Sequence, residues 1–165
     1  MRACLLLLGL LCMMFGQTHP RVASAIFKET VMTQARGTFE VKVIPQKADN
    51  KEAESASVGR WSLDKVFHGD LEASSTGEML AVSTDVKGSA GYVAMERVNG
   101  RLHGHSGTFV LQHKATMTRG EPWMSVTVVP DSGTGQLAGI SGSMTITIES
   151  GKHFYDFEYT LAEAH

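Results

Sequence analysis

The chain has 165 residues, with 15 Lys and Arg against 17 Asp and Glu and a hydrophobic content of 42%, enough for one domain with a core of its own. No Lys/Arg cluster longer than two neighbours occurs, which argues against a nucleic-acid partner, because phosphate binding needs a concentrated basic surface. Both cysteines, Cys4 and Cys12, lie near the N-terminus, so a domain that starts after them has neither a disulfide nor a thiol nucleophile.

The first segment, Met1 to Ala25, places Arg2 before the apolar run Leu5 to Phe15 and ends in the small residues Ala23-Ser24-Ala25. That is the order of an export signal. A run of about 11 residues is too short to span a bilayer, which takes roughly 20, and the polar residues Gln17, His19 and Arg21 come directly after it. Leu11 before Cys12 is not the small residue that lipoprotein processing needs. The expectation is cleavage after Ala25 and an exported domain, periplasmic or secreted, over 26–165, with no membrane span. Losing 1–25 removes Arg2 and Arg21 and no acid, leaving 13 basic against 17 acidic side chains.

From there the hydrophobic pattern has period two almost throughout, which is the signature of strands with one buried face. The predicted strands are Gly37–Ile44, Arg60–His68, Leu71–Ser83, Ala90–Val98, Arg101–Thr116, Trp123–Val129, Ser143–Glu149 and Lys152–Leu161. The acidic stretch Lys47–Ser57 reads as a linker. Asp131 to Gly139 lacks the Gly-Lys-Ser/Thr of a phosphate loop and reads as a long hairpin connection.

Two turns set pairing registers. Asn99-Gly100 predicts Val98 opposite Arg101, Glu96 opposite His103, Ala94 opposite His105 and Tyr92 opposite Gly107. Ser150-Gly151 predicts Glu149 opposite Lys152, Ile148 opposite His153, Ile146 opposite Tyr155 and Met144 opposite Phe157. The second hairpin separates cleanly into an apolar and a polar face. The first mixes polar and apolar residues on both, and draws attention as a candidate site. Eight consecutive antiparallel strands with short turns predict an all-β fold that either splits into a sandwich or closes; the favoured form is an eight-stranded antiparallel up-and-down barrel, which removes exposed edges and is wide enough for side chains or one small ligand.

Several segments together carry a resemblance: 67–72 (FHGDLE), 76–80 (TGEML), 88–98 (GSAGYVAMERV), 106–113 (SGTFVLQH), 117–120 (MTRG) and 128–135 (VVPDSGTG). They resemble an uncharacterised bacterial family of unknown function whose barrel is similar to that of allene oxide cyclase, over roughly Gly37 to Leu161. The resemblance implies the barrel and a tendency to form homo-oligomers, and it implies no activity. The leader peptide and the histidine at position 105, more often another basic residue, depart from the family pattern.

On the mixed hairpin, Glu96 faces His103, with His105 and His113 further along the same face; a carboxylate facing an imidazole raises its proton affinity and sets its tautomer, as acid/base chemistry requires, and Glu96 and His113 are the candidate catalytic acid/base groups. Tyr92, His103, His105 and Phe109 are the candidate ligand-binding residues on the same face. The competing reading of Glu96 and His103 is an exposed cross-strand pair worth about 0.2–1 kcal/mol. Three functions fit this pattern: a lumen that binds a small apolar or amphipathic ligand, with isomerase- or cyclase-like chemistry; a non-catalytic envelope barrel acting in assembly or partner binding; and a metal-dependent enzyme using Glu96, His103 and His105. No cofactor is expected from any motif.

Overall fold

The structure, a computed structural model, describes residues 31–47 and 58–161. The leader read at 1–25 and the linker beyond Lys47 lie outside the described residues. Eight strands run in order: β1 (Thr33–Gln46), β2 (Gly59–Gly69), β3 (Leu71–Ser83), β4 (Ala90–Leu102), β5 (His105–Thr118), β6 (Glu121–Val128), β7 (Ser141–Glu149) and β8 (Lys152–Thr160). Each pairs antiparallel with its neighbours and β1 closes on β8, which makes the predicted closed barrel. A single 3-10 turn among the described residues, Gly135–Leu137, interrupts the long β6–β7 connection.

Pairing fixes which side chains share a face. One line round the sheet runs through Val43, Leu63, Gly77, Glu96, Leu111 and Val128, and the next through Trp61, Met79, Ala94, His113, Val126 and Met144. This is the interior face, since it carries the buried residues. Its two ends differ. At the end marked by the β2–β3 and β4–β5 turns, Leu71, Leu102, Phe109 and Phe157 are wholly buried, and Leu137 of the 3-10 turn is buried with them. Phe109 stacks on Phe157 with ring centres 5.7 Å apart, and Phe157 on Tyr159 at 5.4 Å. Aromatic pairs of this kind add about 0.5–1.5 kcal/mol each beyond area burial. At the opposite end, residues in interior register stay accessible: Val43 at 46%, Met117 at 42%, Met124 at 43% and Ile148 at 61%. Among the described residues, the barrel is plugged at one end, while inward-facing apolar side chains at the other stay accessible.

The Ser150-Gly151 register holds at every predicted pair, from Glu149 opposite Lys152 to Met144 opposite Phe157. The Asn99-Gly100 turn does not form. β4 runs on to Leu102, the reversal falls at His103-Gly104, and Glu96 lies opposite Leu111 rather than His103. His103 (φ 45°) and Gly104 (φ 82°) both take the left-handed backbone that a tight hairpin needs. Gly100 instead sits mid-strand, packed so closely on Ala73 and the Glu72 carbonyl that a side chain there would collide with both. β3 decides the matter: its full length pairs with β4 from Leu71↔Leu102 to Ser83↔Ala90, and Leu102 enters the core. A turn at Asn99 would forfeit both. The true and predicted registers differ by an even number of residues, so most residues of the mixed hairpin keep their predicted face, and Leu102 changes sides.

Candidate functional site

Where the plug gives way to the open end, the interior carries four polar side chains, all buried: Lys65 on β2, Ser75 on β3, Glu96 on β4 and His113 on β5. Alternation turns each inward, and adjacent strands bring them together. Glu96 Oε1 accepts hydrogen bonds from Lys65 Nζ at 2.7 Å and His113 Nε2 at 2.8 Å, and Oε2 accepts one from Ser75 Oγ at 2.8 Å. Lys65 Nζ also lies 5.0 Å from the centre of the Phe39 ring and 5.8 Å from that of Phe67, so the ammonium rests between aromatic faces.

Burial by itself would raise the Glu96 pKa. The hydrogen bond from His113 and the charge of Lys65 outweigh it and hold the carboxyl at about 2. Glu96 is therefore a carboxylate at neutral pH and accepts without donating. The ring nitrogen that faces it, Nε2, must then carry a proton, and in the neutral imidazole Nδ1 is the lone-pair acceptor. Nδ1 has no partner among the described residues. His113 as a whole is only 3% exposed. Tyr92, half-buried and two residues nearer the open end than Ala94, completes the constellation. Burial and the Glu96 charge both raise its pKa and keep its phenol protonated.

Of the residues singled out from sequence, the structure brings Glu96 and His113 into contact and places Tyr92 on the same interior face. Phe109 belongs to the plug. His105 is exposed beside the β4–β5 turn. His103, in that turn, is held at the plugged end by Tyr159, whose hydroxyl lies 2.7 Å from His103 Nδ1. Glu96 and His103 are therefore not cross-strand partners, because the strand between them is continuous and spans roughly 20 Å. The same separation disperses the metal set of Glu96, His103 and His105 weighed as an alternative, and no group of three potential metal ligands occurs among the described residues. Sequence reasoning missed Lys65 and Ser75. The available signal was Leu63-x-Lys65-x-Phe67, a lysine at an inward position of an otherwise apolar face.

A closed eight-stranded antiparallel barrel with a buried charged cluster next to accessible inward-facing apolar residues defines the class of protein. The chain belongs to the DUF3224 family, described as proteins of unknown function, whose model matches residues 35–159. It is similar to the crystal structure of a protein of unknown function from that family from Shewanella oneidensis MR-1, with 49% identity, 81% of this chain and 100% of that chain covered, and a TM-score of 0.74. No curated protein matches it. The family is the one that the sequence segments resemble.

Proposed function

We propose that the barrel binds a small apolar or amphipathic molecule in its open half, with the polar end of that molecule towards Glu96, His113 and Tyr92. The observation that carries this reading is the placement of a buried, charged cluster directly below inward-facing apolar residues that stay accessible. A barrel serving only as a scaffold gains nothing from charges there, since a buried ion pair is often no more stabilising than well-packed apolar residues of the same volume. Small-molecule sites combine an apolar lining with a few convergent polar groups in this way. The test is to purify the protein gently from its native host, denature it and identify released small molecules by mass spectrometry. A stoichiometric amphipathic compound, lost in Met124→Asp, is the expected result. Failure to recover any compound, together with no binding of an apolar fluorophore, overturns the reading.

A second reading, assembly or partner binding, is supported by a different surface. Leu80, Val82, Val93 and Met95 are exposed on β3 and β4, and Leu80 lies opposite Val93 on the outer face. Sedimentation of the wild type and of Val93→Lys tests it: a single monomeric species in both removes homo-oligomer formation. Export belongs to the proposal on the strength of the 1–25 leader pattern, and N-terminal sequencing of the protein recovered outside the cytoplasm checks cleavage after Ala25.

A further inference from the structure

We infer that the open half of the barrel catalyses proton transfer on an enolisable carbonyl compound, with His113 Nδ1 as the base and the Tyr92 hydroxyl as the hydrogen-bond donor to the carbonyl oxygen. The inference rests on the ligand-binding reading of the same site. Tyr92 pairs with Ala115 and Ala94 with His113, so Tyr92 and His113 are diagonal neighbours on the interior face. Such neighbours stand about 7–8 Å apart. Ala94 and Ala115, the other two corners of that square, are buried and contribute only methyl groups, and binding there requires the side chains that cover them to give way to a few ligand atoms.

The chemistry balances without a co-reactant. The C–H bond next to the carbonyl breaks and its proton goes to Nδ1. The electron pair of that bond becomes the C=C bond of the enolate, and the carbonyl π pair moves to oxygen, where the Tyr92 hydroxyl donates a hydrogen bond and keeps its proton. Return of the proton to the same carbon gives exchange. Return to the γ-carbon of a β,γ-unsaturated ketone gives the conjugated isomer and restores the neutral imidazole. Glu96 is a positioning residue: it holds the proton on Nε2, stabilises the transient imidazolium, and is itself held by Lys65 and Ser75.

The probes are cyclohexanone, monitored by α-deuterium exchange in D2O, and 3-cyclohexenone, monitored by absorbance as it becomes 2-cyclohexenone. The full chain is expected to accelerate both. His113→Ala should lose about 100-fold or more, and Tyr92→Phe, which removes one oxygen and is the variant least prone to misfold, should lose rate while still binding ketone. Glu96→Gln should shift the pH dependence of the rate, and His105→Ala should leave it unchanged. Rates equal to buffer with both ketones, or full rates in His113→Ala and Tyr92→Phe, overturn the inference. If an apolar fluorophore still binds, the ligand-binding reading survives that result; if it does not, both fall.

Discussion

Glu96 takes hydrogen bonds from three partners in a place where water is scarce, so each partner matters more than its counterpart on the surface would. Lys65→Met keeps the volume and removes the charge. Breaking a buried pair from one side costs about 3 kcal/mol or more, and denaturant unfolding of the variant should show a loss of that size. The same cluster sets an acid limit. Because the folded carboxyl is depressed to about 2 from an ordinary 4.5, its contribution is complete above pH 4.5 and disappears as pH falls through 2. Wild-type stability measured across that window should fall, and the part due to this group should be missing in Glu96→Gln. That Glu96 and His113 share a face was legible in sequence because both occupy the same alternating positions, but that this face turns inward was decided by closure of the barrel. Lys65 was not, because a lone lysine on a strand is usually solvated, and only the arrival of β4 beside β3 supplies its partner.

Among the strands, β4 shows where local turn chemistry yields to pairing. Asn-Gly is a strong hairpin signal, yet here Asn99 is exposed in mid-strand and Gly100 packs against β3. The two residues should therefore respond differently to alanine. Asn99→Ala should change the thermal midpoint little, and Gly100→Ala should lower it substantially through collision with Ala73. Equal and modest effects would return the turn to Asn99-Gly100. Ser150-Gly151 met no such competition, since β7 and β8 end together at that turn.

Across the whole barrel, the seam between β6 and β7 is the thinnest. Those strands pair only at Val126↔Met144 and Thr127↔Ser143, whereas β3, β4 and β5 pair along almost their entire lengths. Hydrogen exchange should find the first half of β6, Glu121 to Met124, and the end of β7 opening well before β4. Uniform protection across the eight strands would contradict this. The seam opens at the same end as the accessible interior, which puts the least stable part of the wall next to the candidate site.

By itself the sequence determined the strand count, which residues share a face along most strands and the C-terminal hairpin register, because side-chain alternation and a two-residue turn are local properties. Only the tertiary structure decided that β4 continues to Leu102, that the Glu96 face turns inward, that one end is plugged by aromatic and leucine side chains, and that Lys65 and Ser75 join Glu96 and His113. Those outcomes depend on contacts between residues far apart in the chain, and a carboxylate's partners are chosen by whichever strands closure brings beside it.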